Sequence, residues 1–253
     1  MAPPPLRRIA LLVVAVIVAA VCVRLGIWQL DRLEGRRASN AAIRLGLQAP
    51  PTALSRLLAE TGGDPDALAY RRTSVMGTYD AANQLRLYGR ALDGRPGDHV
   101  LTPLVLADGT SVLVDRGWIP LERDPTPTLT GAAAPPPGTV EVRGVLVPSE
   151  EGAAFSQDDG ASRTLVRAVN VHEIDARMPE HDLLGLALLL EEQSPTQPGD
   201  LPEPAPLPEL DEGPHLSYAI QWFTFATIAL VGYVVLSRRD RREDRTVGRT
   251  EEE

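Results

Sequence analysis

The residues best suited to chemistry head the last apolar run, Pro214-His215-Leu216-Ser217-Tyr218-Ala219-Ile220-Gln221-Trp222-Phe223. On a helix, His215, Tyr218, Trp222 and Phe225 fall at i, i+3, i+7 and i+10, which is one stripe. A histidine leading an aromatic face has two readings. A neutral imidazole is a competent axial ligand for the iron of a flat macrocycle, and the rings offer it an apolar wall. Alternatively, His215 caps the helix while Tyr218 and Trp222 anchor it among lipid headgroups. Ser217 is no partner for His215, because residues two apart point to different sides of a helix.

Other chemistry is restricted by what the chain lacks. It has no lysine, so all 25 basic residues are arginine; a Ser-Lys dyad or a Schiff-base lysine is impossible. The one cysteine, Cys22, has no partner for a disulfide and cannot build a thiolate cluster. The four histidines, His99, His172, His181 and His215, lack ligand spacing. No G-x-S-x-G stretch is present. A formal charge of -9 argues against nucleic acid, whose phosphates need a basic surface. A binding protein rather than an enzyme is expected.

The elements that must position His215 are two apolar runs. No charged residue interrupts Leu216 to Leu236, and about 20 apolar residues span a bilayer. Arg238, Arg239, Arg241 and Arg242 follow, which places that end in the cytoplasm. Near the start, Arg7 and Arg8 precede the run from Ile9 to Val23, which continues to Trp28. A signal peptide competes for this run, but its length and the bulky Val21 after Ala19-Ala20 favour an uncleaved helix. Trp28 suits the interfacial belt, and Trp28 with Gln29 falls at the membrane depth of His215. The expected organisation is a cytoplasmic N-terminus over 1–8, a transmembrane helix over 9–28, a domain over 29–193 outside the cytoplasm, a Pro-rich acidic linker over 194–214, a second transmembrane helix over 215–236, and a cytoplasmic tail over 237–253. The expected location is a cell membrane spanned twice, with both termini inside and the tail after Thr246 disordered.

Between the spans the period changes. A helical stretch over 31–47 ends at Pro50-Pro51, and Thr52 is a candidate N-cap for a short helix closed by Gly62-Gly63. Residues 71–79, 84–92, 99–106, 111–115, 139–147 and 163–169 have strand character, with Asp93-Gly94-Arg95-Pro96-Gly97 and Asp108-Gly109 as turn signals. Asn170 to Glu173 resembles a capping box. Residues 183–190 are apolar throughout and read as a buried strand. The fold class is therefore two transmembrane helices flanking an extracytoplasmic β-rich domain, α+β and mainly antiparallel, as barrel or sandwich.

Five segments, in order, resemble motifs of the Surfeit locus protein 1 family, membrane-bound assembly factors of cytochrome c oxidase. Leu25-Gly26-Ile27-Trp28-Gln29-Leu30-Asp31-Arg32 is similar to the LGxWQxxR block that closes the family's first helix. Gly77-Thr78-Tyr79-Asp80 resembles its G-x-Y/F-D turn. Pro96-Gly97 with Leu101-Thr102-Pro103-Leu104 resembles its PG…TPL segment. Leu113-Val114-Asp115-Arg116-Gly117-Trp118-Ile119-Pro120 is similar to its LVNRGWVP block, with Asp115 in place of Asn. His215 to Phe223 resembles the HLxYAxQW opening of its second helix, with Gly213-Pro214 where an Asn often precedes the histidine.

A bacterial member of that family is implied. The resemblance implies haem A, transiently bound, and assistance in its delivery from haem A synthase to oxidase subunit one. His215 carries over as the haem-linked residue and tentative iron ligand, with Tyr218, Trp222 and Trp28 as supporting wall. Arg116 could pair a haem propionate with Trp118 on the ring; alternatively Gly117 permits a bulge or turn and Trp118 fills the base of the domain. The competing function is a membrane-tethered scaffold that links synthase and oxidase without holding haem.

Overall fold

The computed structural model describes residues 5–122, 126–155, 164–208 and 210–250. They form α1 (Pro5–Gln48), β1 (Thr52–Ala53), α2 (Leu54–Thr61), α3 (Pro65–Leu68), β2 (Arg72–Tyr79), a 3-10 turn (Ala81–Asn83), β3 (Leu85–Leu92), β4 (Arg95–Leu106), β5 (Ser111–Pro120), α4 (Thr126–Thr130), β6 (Thr139–Pro148), β7 (Leu165–Val166), α5 (Val171–Asp175), β8 (Leu183–Ser194) and α6 (His215–Thr250). Two units result: Met1–Ala42 with Leu210–Glu253, and Ile43–Glu209.

The first unit pairs α1 with α6. Both helices are long and apolar enough to cross a membrane. Their contact uses small side chains: Ala19, Cys22 and Ala226 are buried together with Trp222 against them, and Ala219, about two turns from Ala226 toward His215, is also buried. Gly26 completes the row, since an added Cβ would stand 2.7 Å from the ring of Phe223. Close approach at small residues is how helices associate where no hydrophobic difference from the solvent drives them together. The outward sides stay apolar, with Val14, Ile17, Ile220 and Ile228 exposed. Past the apolar stretch, Arg37 pairs with Glu212 at 2.9 Å and the Asn40 amide donates to the Asp211 carbonyl. The apolar run and the helical stretch after it are one continuous helix, because only isolated glycines, each costing about 1 kcal/mol, interrupt it.

The second unit is an eight-stranded mixed sheet in the order β1-β2-β6-β8-β5-β4-β3-β7, with β2 also paired to β4. That last pairing (Gly77↔Leu106, Thr78↔Val105) closes β2, β6, β8, β5 and β4 into a small barrel. Alternate residues fill it: Val75 and Tyr79 from β2, Leu104 from β4, Val112 and Val114 from β5, Val140 and Val142 from β6, Leu186, Leu188 and Leu190 from β8. Leu54 and Leu57 of α2 and Leu68 of α3 join this core. On the outer side, Leu113 and Ala187 meet Val171 and Ile174 of α5 and Phe155. Strands β5 and β8 are therefore covered on both faces, and they pair in parallel. This explains why 183–190 is apolar without alternation.

The antiparallel expectation holds for most pairings, but β1–β2, β3–β7 and β5–β8 are parallel. The β3–β4 hairpin turns at Asp93-Gly94 alone, both at positive φ (51° and 75°), between paired Leu92 and Arg95, so Arg95 to Gly97 belong to β4 and not to the expected turn. Such a two-residue turn matches the twist of the strands. Thr52 does not cap α2; it lies in β1 and Ala53 precedes the helix without a side-chain cap. The expected strand over 163–169 reduces to Leu165–Val166, Arg163 being outside the described residues. Asn170 caps α5 by accepting from the Glu173 N–H, but Glu173 turns to the Ala154 N–H instead of closing the box.

The Pro-rich stretch after β8 lies along the barrel. Glu203 and Trp118 exchange backbone hydrogen bonds at 2.7 and 2.8 Å, Leu201 packs on Val100 and Ile119, and Arg95 holds Glu203 through both guanidinium nitrogens. Helix α6 continues through Thr250, so the tail is helical to that point; 1–4 and 251–253 lie outside the described residues.

Candidate functional site

The structure joins His215 to Gln29. Nδ1 of the imidazole lies 2.8 Å from Gln29 Oε1. Facing a carbonyl oxygen, Nδ1 carries the hydrogen and donates it, which leaves the lone pair on Nε2. A fixed tautomer with a free second nitrogen is the usual state of a ligating histidine. Among the described residues no hydrogen bond reaches Nε2. Beside it stands Gly213, where an added Cβ would come within 3.3 Å of Nε2 and 3.4 Å of Cδ2. Gly213, having no side chain, thus leaves the ligating edge of the ring open. Ser217 bonds the Pro214 carbonyl and takes no part.

The aromatic residues lie on one side of the helix pair. Tyr218, Trp222, Phe225, Ala229, Gly232 and Leu236 are spaced 4, 3, 4, 3 and 4 apart, which is one row on α6. Leu11, Val14, Val18, Val21, Leu25, Trp28 and Arg32 form the equivalent row on α1. The far ends of both rows line one groove, so the rows face the same side. Tyr218 and Trp28 are about half exposed there (48% and 47%). Trp222 is half-buried, edge-on to Phe225 with centroids 5.9 Å apart.

Arg116 belongs to the barrel unit. It follows Val112 and Val114 in the inward register of β5 and is buried at the barrel's end. Its Nη1 donates to Gln84 Oε1 and the Ala133 carbonyl, and the guanidinium lies 5.3 Å from the centroid of Tyr79. Burial, only partly offset by Tyr79, lowers its pKa to about 10. Tyr79 donates to Gln193 Oε1 at 2.9 Å, and burial holds its hydroxyl well above its ordinary value. Arg116 and Gln193 border a cavity of about 470 Å³ that is also lined by Gln197, Asp200 and Pro202. Nε and Nη2 of Arg116 are out of water's reach and unpaired.

Gly117 forms the expected bulge: two residues of β5, Arg116 and Gly117, stand opposite Val100 alone. The strand does not end there but runs to Pro120, and Trp118 is buried with its Nε1 donating to the Arg90 carbonyl. Asp115 accepts from the Gly117 N–H and lies 2.8 Å from His99 Nδ1.

Sequence reading passes over one cluster. His181 Nε2 lies 3.1 Å from Asp80 Oδ2, and His181 Nδ1 lies 3.2 Å from Ser111 Oγ. These are the residue types of a hydrolytic triad, but Ser111 is fully buried and its hydroxyl is closed to a substrate. The cluster ties the Asp80 turn to the start of β5. No spacing in the chain signals it, because 101 residues separate Asp80 from His181.

Two helices able to cross a membrane, with the chain of a small mixed-sheet barrel between them in sequence and a histidine opening the second, define the class of protein. The SURF1 family model matches residues 16–227, and the chain belongs to that family, which is associated with cytochrome oxidase assembly. It is 30% identical over 213 residues to an uncharacterised SURF1-like protein of Mycobacterium bovis, covering 81% of this chain and 73% of the relative. A SURF1-like protein of Rickettsia felis is 24% identical over 229 residues, covering 89% and 96%. One from Monosiga brevicollis is 26% identical over 227 residues, covering 85% and 83%.

Proposed function

We propose that the protein binds haem A at the head of α6 and assists its delivery to oxidase subunit one. The observation that carries this reading is the His215 ring: Nδ1 engaged by Gln29, Nε2 free beside a residue without a side chain. The residues fit the group chemically. His215 would supply the axial nitrogen, Trp28, Tyr218 and Trp222 an apolar wall, and Gln29 the orientation of the ring. Bound haem would bring a lipophilic, redox-active iron centre; the chain's part is to hold and present it, not to transform it. Arg116 is given no haem contact in this reading, since its unpaired nitrogens are sealed inside the barrel unit. Haem A synthase is the donor expected beside such a carrier.

The test is an absorption spectrum of the detergent-purified full chain, co-expressed with haem A synthase, beside His215→Ala. Haem A in the parent and its loss in the variant are expected, at equal abundance of both proteins. Co-purification of synthase or oxidase with neither protein carrying haem would replace this reading with a scaffold.

A further inference from the structure

We propose that the groove between α1 and α6 receives the isoprenoid tail of the haem whose macrocycle sits at His215. This rests on the haem reading above and specifies which haems the site takes. The groove encloses about 310 Å³ and is lined by Leu11, Val14 and Val18 of α1 and by Ala229, Gly232 and Leu236 of α6. It exists because small residues stand where a packed pair would carry bulk: Gly232 has nothing within 4 Å of where its Cβ would be.

Three observations select the occupant. First, the groove lies on the same two rows as Trp28, Tyr218 and Trp222, so it continues the wall of the proposed macrocycle site along the helices. Second, the fourteen residues from Tyr218 to Gly232 span roughly 21 Å at 1.5 Å per residue, a distance for a long flexible chain and not for a second ring. Third, its lining is mostly aliphatic, the polar members being Arg8, Tyr233 and Ser237, so most of its wall offers contact to an acyclic hydrocarbon. A tail seated there would hold the haem lengthwise on the helix pair and sort prenylated haems from plain ones.

The experiment titrates the detergent-purified, haem-free full chain with haem O and with haem B, which differ in the prenyl tail. Tighter binding of haem O by about tenfold or more is expected in the parent, from packing of the tail against the groove wall. Gly232 has open space for a Cβ, so Gly232→Phe should place its ring in the groove and bring the haem O to haem B ratio toward one. Val234→Phe, two residues from Gly232 and so on the opposite side of α6, and exposed, should leave the ratio as in the parent. Equal affinity for both haems in the parent, or a ratio untouched by Gly232→Phe, overturns the groove proposal while leaving haem binding standing. Failure of either haem to bind the parent overturns both.

Discussion

The indole of Trp118 lies across Gly97 so closely that a Cβ on residue 97 would overlap the ring and the Ile119 carbonyl. The two residues belong to adjacent strands, β4 and β5, and Trp118 pairs with His99 in their ladder. Arg95 covers the outer face of the same ring at 4.5 Å. One face of the tryptophan thus needs a glycine and the other an arginine, which links the Pro96-Gly97 and Arg116-Gly117-Trp118 segments in one packing unit.

Gly97→Ala should therefore destabilise the barrel by about 1–3 kcal/mol, the cost of forcing a methyl into a filled site. Gly185→Ala is the matched control, because its Cβ would have its nearest neighbour at 3.7 Å, ordinary contact. Thermal unfolding of the detergent-solubilised chain compares them. Equal midpoints for the two variants would show that the Trp118 ring shifts freely.

Gln29→Leu removes the acceptor that fixes the His215 tautomer while keeping side-chain volume. Residues that orient a metal ligand typically matter by about 10–100-fold in affinity. Haem A titration should show a loss of that order, smaller than the loss from His215→Ala. An affinity identical to the parent would separate Gln29 from the site.

Acid should weaken the Asp80 cluster. Partial burial pushes the Asp80 carboxyl up, but hydrogen bonds from Asn83 and the Ala82 N–H, together with His181, outweigh it and hold the pKa below 3.8. With the folded value depressed, the unfolded chain takes up the proton first as pH falls. The stabilisation is present at neutral pH and is lost as pH falls through the folded value, roughly from pH 5 downward. Asp80→Asn should lower the unfolding midpoint at pH 7 and flatten its decline between about pH 5 and about pH 2. Parallel acid limbs in parent and variant would place the titration elsewhere.

Much of the architecture was legible in the residues because it depends on neighbours in the chain. The apolar parts of α1 and α6 follow from their apolar runs, whereas the helical continuation of α6 to Thr250 does not. The Asp93-Gly94 turn and the Asn170 cap follow from side chains acting within two or three residues. His215, Tyr218 and Trp222 were brought onto one row by helical period alone. Tertiary structure decided the rest. Closure of the barrel through β2 and β4, the parallel pairing of β5 with β8, and the seating of Glu203 on Trp118 join strands with no local signal for one another. Gln29 and His215 are 186 residues apart, and the open edge of the imidazole depends on which face Gly213 turns to it. Periodicity sets which side of an element is apolar; which element covers that side is set by burial and hydrogen-bond satisfaction summed over the whole fold.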